Sequence, residues 1–130
     1  MGYTFSEKVL GKWSGRSVKA GDYVEVEPHF CMSDDNVADV INVFGSIRAP
    51  QIAYKDRIVI VFDHAVPAPT EVLAGKQAMV REFVKQRGID NFFDLNSRGG
   101  ICHQVLAQEG FVMPGMILVG SDSHTCTGGA

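Results

Sequence analysis

The sequence contains little that would place it in a membrane or on a nucleic acid. Its longest apolar run, IVIVF at residues 58–62, is much shorter than the about 20 residues that a membrane-spanning helix needs. The N-terminal segment MGYTFSEKVL has no apolar stretch of signal-peptide length. Basic residues number 12 against 15 acidic ones, for a net charge of −3, and no segment concentrates lysine or arginine. These absences predict a cytoplasmic protein with no membrane or nucleic-acid partner, whose ligand is a small polar molecule.

Cysteine is also scarce. The three cysteines, Cys31, Cys102 and Cys126, lie far apart in the sequence, and no two of them form a C-x-x-C pair. An odd number of widely spaced cysteines argues against a disulfide framework and predicts reduced thiols.

The apolar residues that are present suffice for one core. The chain has 130 residues, of which 45% are hydrophobic, so residues 1–130 are expected to form a single domain. Thr4 and Glu7 have the spacing of a capping box and predict a first helix that ends near Gly15. The segment YVEVEP at 23–28 alternates apolar and acidic residues, which predicts a half-buried strand.

From residue 34 onward, predicted helices alternate with predicted strands. Asp34 or Asp35 is expected to cap a helix that closes at Gly45, with an apolar face made of Val37, Val40, Ile41 and Phe44. The later elements are a buried strand in RIVIVFDH, a helix from about Thr70 to Arg87, a short strand in NFFDL, a helix in CHQVLAQE and a buried strand in MILVGSD after the turn at 113–115. This order predicts an α/β domain with a largely parallel sheet flanked by helices.

Polar side chains follow three of the predicted strands. His64, His103 and His124 each come after a strand, and ligands of open parallel sheets bind at the carboxyl ends of the strands. The candidate site residues are therefore Asp63, His64, His103, Asp122, Ser123 and His124.

Each of these residues also has an ordinary structural explanation. An aspartate at a strand end is often a helix cap, and a single histidine is usually a surface or core residue. Three strand ends that each supply a histidine, two of them beside an aspartate, favour a shared site. The residue types alone leave open a small metal-dependent hydrolase, since Asp and His bind zinc, iron or manganese.

Three segments carry a resemblance to a known family. VFDHAVPAPT, GGICHQVL and GSDSHTCTGGA, in this order and at these separations, resemble the aconitase superfamily, in particular the large subunits of 3-isopropylmalate dehydratase, homoaconitase and dimethylmaleate hydratase. The resemblance implies the fold of the first part of the aconitase N-terminal domains. In such large subunits the DSHT segment lies near the end of the first third, so the chain is expected to be an N-terminal fragment.

The resemblance also implies a reaction and its partners. Family members dehydrate and rehydrate a 2-hydroxy di- or tricarboxylate, in leucine biosynthesis and related pathways. A four-iron four-sulfur cluster, with one open iron as Lewis acid, is held by cysteines that would lie beyond residue 130. The base is a serine of a later mobile domain or of a separate small (swivel-domain) subunit. No cluster and no activity are therefore expected of these residues alone.

Residue roles follow from the same resemblance. His64 resembles the histidine that protonates the departing hydroxyl, Asp63 its carboxylate partner, and His103 a second active-site histidine. Residues 122–124, Asp122, Ser123 and His124, match a DSH triplet that lies against the cluster and its bound water.

One position departs from the family pattern and one alternative remains. Ser33 stands where relatives usually have His or Gln, which leaves any substrate contact at that position open. The chain's own cysteines match none of the family's ligand positions. A non-catalytic module that binds carboxylates without a cluster is a further reading of the same residues.

Overall fold

The computed structural model describes residues 2–95 and 98–129, so Ala130, the last residue of the third family-like segment, lies outside the described residues. Its elements are α1 (Phe5–Ser14), β1 (Phe30–Ser33), α2 (Val37–Ile47), β2 (Ile58–Val61), α3 (Glu71–Arg87), β3 (Phe92–Phe93), α4 (Cys102–Gln108) and β4 (Leu118–Gly120). Short 3₁₀ helices span Lys55–Arg57 and Thr125–Gly129. None of the described helices combines the length and the apolar character needed to span a membrane.

The four strands form one sheet in the order β3-β2-β1-β4, and every pairing is parallel. Met32 of β1 is paired with Val59 of β2 on one side and with Gly120 of β4 on the other. The predicted α/β fold with a parallel sheet is confirmed. Because β4 lies on the far side of β1 from β2 and β3, the chain reverses its direction of travel across the sheet between β3 and β4.

Strand β2 supplies both halves of the core. Val59 and Val61 pack on one face of the sheet with Leu106 of α4, whereas Ile60 and Phe62 pack on the other face with residues of α2 and α3. A strand covered on both sides needs apolar residues at every position, which explains the uninterrupted run IVIVF.

Two helices begin and end as their sequences predict. Thr4 and Glu7 form a complete capping box at α1, and Gly15 follows that helix with a φ of 71°. Thr70 caps α3 through a hydrogen bond from the backbone N–H of Leu73, and Gly88 ends it with a φ of 62°. A positive φ is where glycine costs least.

The first predicted strand is absent. Residues 23–28 form no ladder, Tyr23 is exposed, and the strand begins later, at Phe30. Pro28 has no N–H to donate to a neighbouring strand. The backbone N–H of His29 donates to the carbonyl of Ile117 (2.8 Å), so pairing with the β4 side begins just after the proline.

Helix α2 differs from its prediction at both ends. Its N-cap is Asn36 rather than Asp34 or Asp35, and no side-chain hydrogen bond caps it. The helix continues through Gly45 to Ile47 and ends at Arg48, which has a φ of 55°. The predicted end at Gly45 is therefore wrong, since Gly45 lies inside the last turn of the helix.

The strand predicted in MILVGSD is present but is not buried. Strand β4 is at the edge of the sheet, and Val119 is half exposed. Its partner in register on β1, Cys31, is exposed as well. An apolar sequence does not distinguish an edge strand from a central one, because the distinction depends on which strands pair.

A single tryptophan joins the other end of the sheet to the first helix. The indole Nε1 of Trp13 donates to the carbonyl oxygen of Gly115 (2.7 Å), and the ring packs edge-on against His29 with 4.3 Å between centroids. The Nδ1 of His29 accepts from the backbone N–H of Ile117 (3.1 Å). These contacts connect α1 to the starts of β1 and β4.

The buried core predicts a sharp contrast between two isoleucines. Ile60 is 1% exposed in β2, whereas Ile47 is 67% exposed at the end of α2. We expect Ile60→Ala to lower the free energy of unfolding by about 2–5 kcal/mol, and Ile47→Ala to change it by about 0.5 kcal/mol or less. Urea unfolding of both variants measures the difference, and equal losses would contradict the assigned core.

Candidate functional site

Polar residues gather at the carboxyl ends of the strands. The reversal between β3 and β4 makes the ends of β1 and β4 the switch point of the sheet, and open parallel sheets bind ligands in a crevice at such a point. The residues that follow β1, β2 and β4, together with the start of α4, meet there.

His64 lies between carboxylates on both sides of its ring. Its Nδ1 is 2.5 Å from Oδ1 of Asp63 and 3.7 Å from Oδ2 of Asp34, while its Nε2 is 3.4 Å from Oδ2 of Asp122. An imidazole with a carboxylate at each nitrogen is best satisfied when both nitrogens carry a proton. The hydrogen bond to Asp63 raises the pKa of His64, and the charges of the neighbouring aspartates support the shift against the opposing effect of burial.

Asp63 is itself fixed by a second donor. Its Oδ2 accepts from the backbone N–H of Cys102 (2.7 Å), the first residue of α4. Burial acts to raise the pKa of Asp63, but the hydrogen bonds from Cys102 and His64 outweigh it, so the pKa lies below its ordinary value. Asp63 is therefore a carboxylate anion beside a histidine that favours its cationic form.

Asp122 connects the three histidines. Its Oδ1 accepts from the backbone N–H of His124 (2.7 Å) and lies 2.8 Å from Nε2 of His103, while Oδ2 faces His64. The backbone hydrogen bond from His124 and the nearby His103 lower the pKa of Asp122. All three histidines that follow strands in the sequence thus surround one buried carboxylate.

Ser123 and His124 lie on the exposed side of this centre, where Nδ1 of His124 is 3.8 Å from Oδ1 of Asp122. The Oγ of Ser123 and Nδ1 of His124 form a hydrogen bond with each other (3.0 Å), and the His124 side chain is 78% exposed. The rings of His124 and His103 are 6.4 Å apart. Of the six candidate residues, Asp63, His64, His103 and Asp122 form the inner cluster, while Ser123 and His124 form its exposed rim.

The carboxylates of Asp34 and Asp35 were expected only as helix caps, yet both belong to the site. The Asp34 side chain is 2% exposed, accepts from the backbone N–H of Asn36 (3.0 Å) and approaches His64. The Oδ2 of Asp35 accepts from the backbone N–H groups of Asp63 (3.0 Å) and His64 (2.7 Å). The signal available in the sequence was a pair of aspartates directly after a strand of a parallel sheet.

Ser33 extends the hydrogen-bonded network. The hydroxyl of Ser121 donates to Oδ1 of Asp34 (3.3 Å), so its 2.8 Å contact with Ser33 uses the Ser33 hydrogen. Ser33 is buried, and its hydroxyl supports Asp34 through Ser121. Ser33 thus begins a chain of hydrogen bonds that passes through Ser121 to Asp34, beside His64.

Several donor atoms lie close enough together to consider a metal ion. Within the described residues, three groups have ligand atoms within 4.8 Å of one another: Cys102 with His103 and Asp122, Asp34 with His64 and Asp122, and Asp35 with Asp63 and His64. The carboxylates in these groups already accept hydrogen bonds from backbone or imidazole donors. A cation would also have to replace the proton on the ligating nitrogen of the histidine that each group contains.

The thiols do not form a cluster site. Cys102 is fully buried and its pKa is raised to about 12, chiefly by burial and also by Asp63. Cys31 and Cys126 are exposed, and burial raises the pKa of Cys31. Metal ligation requires thiolates that converge. These cysteines do not fit a three-thiolate site for an iron–sulfur cluster.

The raised pKa of His64 predicts a specific pH dependence of stability. A pKa raised by folding contributes stability that is fully present below the unfolded-state pKa of about 6.5 and is lost as the pH rises through the folded-state pKa. We expect His64→Gln to remove this decline from free energies of unfolding measured between about pH 6 and pH 9. Ser123→Ala, a change on the exposed rim, should retain it, and a His64→Gln profile like the wild type would refute the assignment.

The chain is similar to proteins of one known family. Residues 13–130 match the aconitase family (aconitate hydratase). The chain is 41% identical to the probable 3-isopropylmalate dehydratase large subunit of Methanothermobacter thermautotrophicus, and the match covers 100% of the chain and 31% of the relative. The corresponding subunit of Herpetosiphon aurantiacus is 43% identical, with the same coverage.

A third relative extends the range of activities among similar proteins. The probable methanogen homoaconitase large subunit of Methanothermobacter thermautotrophicus is 43% identical over 96% of the chain and 30% of the relative. The chain thus spans about a third of the length of these curated relatives. With nearly its whole length matched, the chain belongs to the aconitase family.

Proposed function

We propose that the chain is the N-terminal part of the large subunit of an iron–sulfur hydro-lyase of the 3-isopropylmalate dehydratase type. The whole enzyme would dehydrate and rehydrate a 2-hydroxy di- or tricarboxylate, in the cytoplasm and in leucine biosynthesis or a related pathway. The observation that carries the proposal is the position of His64, an imidazole that lies among aspartates at the switch point of the sheet and whose pKa they raise. The relatives' names supply the reaction class.

His64 has the properties of a general acid. Removing water from a hydroxy acid requires a proton on the departing oxygen, since hydroxide is a poor leaving group. A histidine whose pKa is raised carries that proton near neutral pH. Its side chain is 55% exposed, so a substrate in the crevice can reach it.

The contacts of the ring indicate which nitrogen gives up its proton. Nδ1 is held by Asp63 at 2.5 Å, whereas Nε2 is only loosely opposed by Asp122 at 3.4 Å. We assign the donated proton to Nε2, whose long contact with Asp122 can be replaced by a hydrogen bond to the leaving oxygen. The neutral ring then keeps the proton on Nδ1, which donates to Asp63, in the manner of an imidazole oriented by a carboxylate.

The other members of the cluster support this acid. Asp122, with a pKa below its ordinary value, stays anionic beside Nε2. His103 is 19% exposed and directs its Nε2 at Asp122, so we assign it to holding that carboxylate in place. Ser123 and His124, on the exposed rim, are assigned to contacts with substrate or with the remainder of the enzyme.

The cluster ligands would come from outside this chain. Cys102 is buried with a raised pKa, and Cys31 and Cys126 are exposed, so no step of the proposed mechanism passes through a cluster held by these residues. The chain contributes the proton donor and its carboxylates. The relatives are described as large subunits, which implies a small subunit as the partner of the whole large subunit.

The charge of the site disfavours the carboxylate-binding module. Among the described residues, the ion pairs of the site's aspartates are all with histidines. A module that bound a di- or tricarboxylate by itself would need lysine or arginine at the crevice. The substrate's carboxylates are therefore assigned to cationic groups elsewhere in the whole enzyme.

The metal-dependent hydrolase is the weaker alternative for a different reason. Its carboxylate ligands would be Asp34, Asp35, Asp63 and Asp122, and these accept hydrogen bonds from the protein's own N–H groups. The relatives are dehydratase and homoaconitase subunits, which favours the hydro-lyase.

A reconstitution experiment tests whether these thiols hold a cluster. We expect the 130-residue chain, incubated anaerobically with iron and sulfide, to bind no stoichiometric cluster, because the Cys102 thiol is buried with a raised pKa and cluster ligands are thiolates. Iron and sulfide analysis with absorption spectroscopy provides the measurement. A brown protein with about four irons per chain, which loses them on replacement of Cys31, Cys102 or Cys126, would overturn this expectation.

Substitution of His64 in the whole enzyme tests the acid role. We expect His64→Ala to lower kcat by about 10²–10⁴-fold with little change in KM, because the proton is needed in the transition state. Ser123→Ala should lower kcat by only about tenfold or less, since a neutral hydrogen bond contributes about 0.5–1.5 kcal/mol. The assay follows the ultraviolet absorbance of the alkene product from a 2-isopropylmalate-type or homocitrate-type acid, with cluster content measured in each sample. Near-normal turnover of His64→Ala at full cluster content would refute the role.

A further inference from the structure

Two side chains outside the inner cluster hold the backbone that carries His64. The Oδ2 of Asp35 accepts from the N–H groups of both Asp63 (3.0 Å) and His64 (2.7 Å). The side-chain amide of Gln77, in α3, donates to Oδ1 of Asp35 (3.3 Å) and to the carbonyl oxygen of Ala65 (2.9 Å). Three consecutive residues, 63–65, are thereby tied to the helix layer.

These contacts meet a need of the backbone at this place. Residues 63–65 lie beyond the end of β2, where no neighbouring strand offers partners to their peptide groups, and such groups require partners when they are withdrawn from water. A carboxylate that accepts two consecutive N–H groups makes charge-assisted hydrogen bonds, which are stronger than neutral ones. The Asp35 carboxylate thus accepts the hydrogen bonds that a neighbouring strand would otherwise accept.

Gln77 is otherwise hard to explain. It is buried in α3, in the same helix as Val80 and Val84, which belong to the core. A polar side chain in such a place is retained with its hydrogen bonds made, and the hydrogen bonds of this amide go only to Asp35 and Ala65 among the described residues.

We propose that Asp35 and Gln77 are positioning residues, an Asp35–Gln77 clamp that sets the orientation of His64. The proposal rests on the acid role proposed for His64. The clamp fixes the peptide groups on both sides of His64, and this determines that its ring lies with Nδ1 on Asp63 and Nε2 toward Asp122. Without it, the 63–65 backbone is free to turn, and the imidazole leaves its carboxylates.

A cap of helix α2 is the competing role for Asp35. The N-cap of α2 is Asn36, and the first amide of the helix, that of Val37, donates to the backbone carbonyl of Asp34. The Asp35 carboxylate makes its described hydrogen bonds to residues 63, 64 and 77 instead. Its removal should therefore change residues 63–65 before it changes the start of α2.

The wild-type chain provides the first test. We expect NMR-detected hydrogen exchange of the Asp63 and His64 amides to be slowed by about tenfold or more relative to unprotected peptides, although both amides lie outside the sheet. Exchange at the unprotected rate would overturn the clamp whatever the behaviour of the variants.

Two variants, each with a matched control, provide the second test. Gln77→Met removes the amide without changing charge, and Gln86→Met is its control, because Gln86 is in the same helix and donates to Glu82 at the surface (2.9 Å). Asp35→Asn removes a charge, and Asp39→Asn is its control, because Asp39 pairs with Lys76 at the surface (3.1 Å).

We expect Gln77→Met and Asp35→Asn to speed exchange of the Asp63 and His64 amides by about tenfold or more. The NMR titration midpoint of His64 should move down toward that of an ordinary histidine, since its contacts with Asp63, Asp34 and Asp122 are lost. Both controls should match the wild type. Because Gln77→Met leaves the charge unchanged, its shift of the midpoint reports geometry and not a lost anion.

The outcomes separate the clamp from the proposed function. A folded Gln77→Met with wild-type amide exchange and a wild-type His64 midpoint would overturn the clamp, and if that variant does not fold, the same readouts on Asp35→Asn decide. A His64 titration midpoint that moves down in these variants bears on the clamp and not on the acid role. Normal turnover of His64→Ala in the whole enzyme would remove the acid role while the NMR results still establish the clamp.

Discussion

Anionic carboxylates packed side by side at one edge of a sheet must each be supplied with hydrogen-bond donors, and the architecture of the site follows from this requirement. Asp34, Asp35, Asp63 and Asp122 are brought together because parallel strands end at the same edge. Each accepts a hydrogen bond from a backbone N–H group: Asp34 and Asp122 from the residue two positions later, Asp35 and Asp63 from a distant segment. Asp35 and Asp63 therefore connect the loops to one another, and the imidazoles of His64 and His103 lie beside the carboxylates.

This arrangement accounts for the order of elements around the crevice. Asp63 accepts a hydrogen bond from the backbone at the start of α4. Asp122 accepts one from the turn that follows it and lies beside the rings of His64 and His103. Had β4 been placed beside β3, Asp122 would lie three strand positions from the end of β1, which carries Asp34, instead of one. The reversal of the chain after β3 thus places Asp122 beside the residues that follow β1, and both Asp34 and Asp122 approach His64.

Local patterns in the sequence were sufficient for most of the fold. The capping box at Thr4, the run IVIVF and the pair Thr70 and Gly88 each encode an element by short-range chemistry. The incorrect predictions concern segments whose structure depends on residues that are distant in the sequence. The alternation in 23–28 looks like a strand, but no neighbouring strand pairs with it, and β4 is exposed because nothing lies beyond it in the described sheet.

The residues of the site likewise differ in whether local sequence features reveal them. Histidines after strands were visible as candidates, because a strand end and a reactive side chain are both local features. The parts played by Asp35 and Gln77 were not visible, since one contacts a loop 28 residues away and the other a residue 42 positions away. A carboxylate before a helix is ordinarily interpreted as a cap, and only the folded chain shows that its acceptors are used elsewhere.

The position of the only tryptophan has a consequence for optical measurements. Trp13 packs on His29 and donates to Gly115, at the end of the sheet where β1 begins, whereas the histidine cluster lies where β1 and its neighbours finish. Intrinsic fluorescence therefore reports whether the first helix is docked and is blind to rearrangements around His64. A fluorescent label or an isotope placed near His64 is needed to detect motions there that leave the first helix docked.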